Sequence, residues 1–238
     1  MIGARLPIRF DTFQIISFDC YGTLIDWESG ILETLRPYLQ ERGVKCSDER
    51  ILEDYSRLER QAQAGLYAPY RHILGRVMRG FAQQHGLDLD PDDRSLLADS
   101  LPNWRPFPDT QAALRRLKER YRLAVVSNID DDLFDETRMN LGVELDWVIT
   151  AEQVTSYKPS LRNFEAAERT MGVSRAHWLH AAQSLYHDIV PARQFGLATV
   201  WVNRRRGLPG FGATPPAAAL PDLETGDLRE LAERACGE

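Results

Sequence analysis

Residues 18–26 read FDCYGTLID and follow FQIIS at 13–17. Phe13, Ile15, Ile16 and Phe18 make a short, β-branched apolar run closed by the Gly22-Thr23 turn, the pattern of a buried strand rather than a helix. Asp19 therefore stands at the carboxyl end of a strand, which is where open α/β sheets bind ligands. Two positions on, where a second acid might sit, the chain has Tyr21. Cys20, between them, points away from Asp19 by strand alternation, and free cysteine is among the most buried residue types, so it reads as structural.

Outward from this strand the chain changes rhythm twice. From residue 30 to 101 it is helical in pattern: ILETLRPYLQERG, DERILEDYSRLERQAQAG, YRHILGRVMRGFAQQHG and DDRSLLADSL repeat apolar residues at three- and four-residue spacing, and three of them end at Gly. From Pro108 helices and strands alternate: PDTQAALRRLKERY, the strand RLAVVSN, the helix DDLFDETRMNLG, the strand DWVIT and the helix NFEAAERTMG. WLHAAQS follows, then a helix around IVPARQFG and the strand ATVWVN. Alternation of this kind implies βαβ units and a parallel sheet, to which strand 13–18 belongs. The expected architecture is a doubly wound α/β core, residues 1–29 and 102–238, with a helical domain at 30–101 inserted into it. Gly207–Pro221, rich in Gly, Pro and Ala, reads as a surface loop before a short final helix.

Composition narrows the function. The 238 residues are 43% hydrophobic, ample for a packed core, and 35 acidic against 29 basic residues leave a net charge of −6. Without a basic stripe, nucleic acid and anionic membrane are poor partners, and a small-molecule substrate is expected. The N-terminus MIGARLPIRF lacks a leader pattern and no apolar run approaches a membrane span, so a cytoplasmic location is expected. Cys20, Cys46 and Cys236 are scattered, with neither disulfide nor zinc spacing. A homodimer is compatible with the sequence, which fixes no oligomeric state.

Four polar clusters fall at the predicted strand ends: Asp19 with Thr23, Ser127 with Asn128, Lys158, and Asp188. Singly each is weak, since Ser-Asn after a strand is usually a turn or cap and a lone Lys is usually solvated. Jointly they converge on one crevice, because the carboxyl ends of neighbouring parallel strands do. In order and spacing, FDCYGTLID, the strand ending VVSN, SYKPS and QSLYHD resemble the four motifs of the haloacid dehalogenase-like hydrolases. The likeness runs from residue 14 to about 204, with 30–101 where that superfamily carries its helical cap.

The resemblance implies a role for each residue. Asp19 matches a nucleophile that forms a covalent ester, which water then hydrolyses. Thr23, Ser127 and Asn128 match polar groups within reach of Asp19 or of the substrate. Lys158 matches the cation that pairs with Asp19 and favours its ionised form. Asp188 matches the acid that orients the lysine or holds a metal. Tyr21 then separates the reactions this superfamily shares. Phosphatases carry an acid there to protonate a basic leaving alkoxide, whereas halide, an extremely weak base, departs without a proton. The DxY form, also that of the L-2-haloacid dehalogenases, implies displacement of halide from a small 2-halocarboxylic acid with no cofactor or metal required.

Two alternatives stay open. One is a Mg²⁺-dependent phosphatase holding the ion with Asp19, the Tyr21 carbonyl and Asp188. The other is a weakened member serving as a binding protein, suggested by Gln183, Leu185 and Phe164 where the dehalogenase pattern has Ser, Asn and Tyr. Gln183 could instead position a hydrolytic water. For the substrate's carboxylate, Arg57 and Arg60 in DYSRLERQ are the best partners, with Arg71 behind them. Trp27, Tyr67, Tyr70 and Trp104 could line an apolar pocket, though aromatics in a cap more often form core. His187 is expected to be a bystander beside Asp188.

Overall fold

The computed structural model describes residues 8–237; the first seven residues, on which most of the leader reading falls, lie outside the described residues. Among the described residues the strands are β1 (Ile15–Phe18), β2 (Arg122–Ser127), β3 (Trp147–Thr150), β4 (Trp178–Ala182), β5 (Ala198–Val202) and β6 (Leu223–Thr225). They form one parallel sheet in the order β3-β2-β1-β4-β5-β6. The order reverses direction at β1, so the crevice beyond β1 is the topological switch point where doubly wound sheets bind ligands. WLHAA forms β4, and β6 was not expected from the sequence: three residues are too few to show a period.

The helices are α1 (Trp27–Glu41), α2 (Asp48–Gln63), α3 (Tyr70–His85), α4 (Leu96–Ser100), α5 (Thr110–Lys118), α6 (Asp131–Arg138), α7 (Ala151–Val154), α8 (Arg162–Met171), α9 (Val190–Phe195) and α10 (Leu228–Cys236). Helices α1 to α4 pack on one another as a block between β1 and β2. The boundary expected at residue 30 falls inside α1, which begins at Trp27 because Asp26 caps it, accepting from the Ser29 amide and hydroxyl. Helix α2 starts in the same way at Ser47, with Asp48 and Glu49 in the first turn favoured by the helix dipole.

Apolar residues of both regions merge in one large cluster that runs from Phe18 and Leu179 of the sheet through Ile31 and Leu35 of α1 to Val77 and Phe81 of α3. A smaller cluster around Phe164, Trp178 and Phe195 covers the other face of the sheet. The turn that opens α3 is held directly by the core. Asp130, just after β2, accepts the backbone N–H groups of Tyr70 and Arg71 at 2.7 and 2.9 Å, and the Tyr157 hydroxyl donates to the Ala68 carbonyl at 2.7 Å. These two acceptor and donor groups flank Asn128 and Lys158 in sequence.

The expectation of a surface loop over Gly207–Pro221 holds only in part. Residues 212–215 are buried. The Ala213 N–H donates to Glu28 and the Thr214 hydroxyl to Gln183, so the segment dives inward on hydrogen bonds that its composition does not announce.

Candidate active site

Asp19 leaves β1 into a turn built on Gly22, whose φ of +92° lies in the left-handed region. A Cβ on Gly22 would come within 2.8 Å of the Trp27 ring nitrogen, so both the backbone shape and the space demand glycine there. The turn brings Thr23 back onto the carboxylate, its hydroxyl donating to Asp19 Oδ2 at 2.9 Å while accepting from the Gln183 N–H at 2.9 Å.

Lys158 is fully buried and spends three donors: on Asp19 Oδ1 at 2.8 Å, Asp188 Oδ1 at 2.7 Å and the Val126 carbonyl at 2.7 Å. Three donors from one nitrogen require the ammonium form. Burial acts to lower the lysine's pKa, but the charges of Asp188 and Asp19 outweigh it and the net direction is up. For Asp188 burial acts upward and is outweighed by the Lys158 charge and the His180 hydrogen bond, so the carboxyl is held below its usual range. Asp19 differs from the expectation that Lys158 would lower it: burial pushes the carboxyl up, the Asp188 charge adds to that, and the pull of Lys158 and Thr23 does not fully offset them. Asn128 grips the backbone of Lys158 from both sides, donating to its carbonyl at 3.1 Å and accepting from its N–H at 2.7 Å. It therefore fixes the lysine while also lining the cavity in front of Asp19.

Behind Asp188 a buried chain runs into the sheet. The Trp178 ring N–H donates to Ser17 Oγ at 2.6 Å, and Ser17 stands 2.8 Å from His180 Nδ1. Asp188, an ionised carboxylate, can only accept, so His180 Nε2–H donates to its Oδ1 at 3.0 Å. Among the described residues, Asp188 Oδ2 and Ser127 Oγ are buried without a hydrogen-bond partner, and both residues line one cavity with Asp19. Buried polar atoms left in this way mark where a substrate or water is received.

That cavity measures about 30 Å³, room for roughly a single water. Tyr21, Trp27 and Tyr70 supply its aromatic walls, and the Tyr21 hydroxyl is engaged by Thr137 at 2.7 Å. His187 also lines it; burial lowers its pKa to about 4, so it is neutral at pH 7. Three lining residues were not anticipated from the sequence, Ser184, Thr214 and Glu59. Glu59 is buried on α2 and accepts from the Tyr70 hydroxyl at 2.6 Å. The signal for it was present: Ile51, Tyr55 and Glu59 follow one another at four-residue spacing on the buried face of α2.

Other candidates lie elsewhere. Arg57 and Arg60 are not brought to the cavity, because the buried stripe that carries Glu59 turns them outward. Arg57 pairs with Asp54, and Arg60 lies over the Tyr186 ring at 5.5 Å. Both line a 590 Å³ groove that meets the cavity at Thr214. Gln183 lines a separate 350 Å³ cleft on the far side of Trp27, its side-chain oxygen taken by Thr214 at 3.2 Å. Arg71 pairs with Asp132, Tyr67 rests on Tyr157, and Trp104 packs edge-on against Tyr21. Phe164 is core, edge-on to His180. Cys20 is fully buried and burial pushes its thiol well up, away from nucleophilic chemistry.

A divalent ion fits this donor set poorly. Asp19 and Asp188, the carboxylates that would hold it, already share the Lys158 ammonium, which would lie against the ion, and Gln183 offers no charge where a third carboxylate would be wanted. Among the described residues no group of three or more His, Cys, Asp or Glu side chains is arranged to hold a metal. Nor is any helix among them long and apolar enough to cross a membrane.

Residues 13–196 match the model of the haloacid dehalogenase-like hydrolases. The chain is similar to the (S)-2-haloacid dehalogenase of Pseudomonas sp. (strain YL), 31% identical across 96% of this chain and 98% of that one. It is likewise similar to (S)-2-haloacid dehalogenase H-109 of Pseudomonas putida, 30% identical across 92% and 94%. Its fold is that of the L-2-haloacid dehalogenase from Xanthobacter autotrophicus, with a TM-score of 0.77 at 22% identity over 94% of this chain and 99% of that one. The chain belongs to the haloacid dehalogenase-like hydrolase family.

Proposed function

We propose that this hydrolase is a 2-haloacid dehalogenase that displaces halide through an ester on Asp19. The observation that carries the reading is Lys158, an ammonium bonded to both Asp19 and Asp188 in a site whose second motif position is Tyr21. A fixed cation beside the nucleophile does the work a metal would otherwise do, and chloride or bromide leaves without the proton that an alkoxide needs. The similar proteins named (S)-2-haloacid dehalogenase support the same substrate class.

In this mechanism Asp19 attacks C2 from the face opposite the halide and inverts that centre. Thr23 and Lys158 hold the carboxylate in line, and the unpartnered Ser127 hydroxyl is available to the substrate. Water then attacks the Asp19 carbonyl carbon, and the free Asp188 Oδ2 accepts its proton while Oδ1 stays with Lys158 and His180. Residues 30–101 act as a cap. A cavity of 30 Å³ is too small for a halocarboxylate, so the cap parts from the core to admit it, and the groove lined by Arg57 and Arg60 is the approach for an anion.

A single turnover in ¹⁸O-water with enzyme in excess tests the ester. The hydroxy acid should be mostly unlabelled and the peptide containing Asp19 should carry the label, while Asp19→Asn should abolish turnover. Label in the product at the first turnover would mean direct attack by water and would remove Asp19 as nucleophile.

A further inference from the structure

Glu59 has no part in the mechanism above, yet it lines the same cavity as Asp19, Lys158 and Asp188. It is 3% exposed and has no basic partner: its described contact is the Tyr70 hydroxyl at 2.6 Å, which stands 3.1 Å from the hydroxyl of Tyr55. Among the described residues lining the cavity the one permanent cation is Lys158, already committed to Asp19, Asp188 and Val126. A carboxyl group desolvated in this way, across a small cavity from another carboxylate, is stable as the neutral acid.

We propose that Glu59 is the leaving-group partner of this site, donating a hydrogen bond from its neutral carboxyl to the departing atom, so that the enzyme accepts 2-fluorocarboxylates, whose fluoride is the strongest hydrogen-bond acceptor among the halides. This rests on the dehalogenase reading and deepens it. Helix α2 thus supplies the acid that Tyr21 does not. As Asp19 forms its bond to C2, the C–F bond breaks with its electron pair on fluorine, and fluoride departs as the anion held by the Glu59 hydrogen bond; HF is a stronger acid than Glu59, so the proton stays on the carboxyl. Water then cleaves the ester: its oxygen stays on Asp19, one proton goes to the product hydroxyl, and the other leaves to solvent by way of Asp188. The sum is fluoroacid plus water giving hydroxy acid, fluoride and a proton.

The acid is available only while Glu59 is protonated. Burial pushes its pKa up to about 7, with the Asp19 charge adding to the rise and the Tyr70 hydrogen bond opposing it. The other titratable groups facing the cavity are Asp188 and Lys158, held ionised by each other, neutral His187 from the same turn as Asp188, and the phenols Tyr21 and Tyr70, with Tyr55 behind Tyr70. None of these changes charge between pH 6 and 8, and Asp19, whose carboxyl burial pushes up, acts as the carboxylate and so gives a limb that rises with pH; a limb falling above about pH 7 belongs to Glu59.

The experiment compares fluoride and bromide release from 2-fluoropropionate and 2-bromopropionate by the wild type and by Glu59→Gln, across pH 5 to 9. We expect the substitution, which leaves only a weaker amide donor and removes the titrating acid, to cut fluoride release about 10-fold or more while bromide release changes only a few-fold. The fall in defluorination above about pH 7 should vanish with the acid. A carbon-13 titration of the wild-type protein, with the Glu59 signal found by difference, should place its midpoint near 7. Equal losses for both halides, a wild type that releases bromide but never fluoride, or a Glu59 that titrates as an ordinary glutamate each overturns the inference and leaves the dehalogenase reading standing. A wild type that releases no halide overturns that reading and the inference with it.

Discussion

Replacing Lys158 with Met removes the charge that Asp19 and Asp188 share while keeping most of the side chain's volume. Two charge-assisted hydrogen bonds go with it, worth about 1.5–3 kcal/mol each. Breaking a buried ion pair by deleting one partner costs about 3–5 kcal/mol, because the charge left behind is uncompensated. We therefore expect a loss of about 3–5 kcal/mol at pH 8 and activity reduced by at least about 10³-fold. The pH dependence is the sharper test. In the wild type Asp188 lies below its unfolded pKa, so its stabilisation is present above that unfolded value and lost as pH falls through the folded one. In the variant the two facing carboxylates go the other way: the native state holds a proton that the unfolded state has released. Stability should then fall by about 1.4 kcal/mol per pH unit per proton as pH rises above the unfolded carboxylate value. Urea unfolding followed by circular dichroism at pH 5, 6, 7 and 8 reads this directly. A deficit of the same size at every pH would refute the account of Lys158 as counter-charge.

The remaining predictions concern neighbours. Asn128→Ala removes both hydrogen bonds to the Lys158 backbone and should cost about 1–3 kcal/mol by thermal unfolding, lowering kcat with little change in KM. Arg60→Ala should leave kcat unchanged but lower kcat/KM for an anionic substrate a few-fold at low salt, with the difference disappearing at high ionic strength, because the guanidinium lines the approach and not the cavity.

Strand β1, the placement of Asp19 at its end and the helical run at 30–101 could be read from the sequence because each rests on local periodicity and short-range turn chemistry. Bringing Thr23, Lys158 and Asp188 to Asp19 needed only parallel strands whose ends converge. Arg57 and Arg60 of α2 stand out by charge alone, while the helix's own apolar stripe at Ile51 and Tyr55 picks out Glu59 as the inward residue. Thr214 gave no signal at all. It reaches the cavity through hydrogen bonds to residues about 30 and 185 positions away, Gln183 from Thr214 and Glu28 from Ala213, and no local pattern encodes such contacts. The same holds for His180, which looks like one more strand residue until Ser17 and Asp188 are seen on either side of its ring.

The turn at Ala68–Arg71 is clasped by Tyr157 and Asp130, one immediately before the lysine and the other two residues after Asn128. The same turn begins the helix whose first residue, Tyr70, holds Glu59. Access and competence are thus mechanically joined in this enzyme. In the proposed mechanism, a displacement of the helical block wide enough to admit a substrate pulls on the segments that aim Lys158 and carries Glu59, with the tyrosine that steadies it, away from Asp19. The open form receives substrate but cannot react with it, and the closed form reacts but cannot exchange. On that mechanism turnover is a two-stroke cycle, with the proposed ester made and broken only in the sealed stroke, out of reach of every nucleophile but the water enclosed with it.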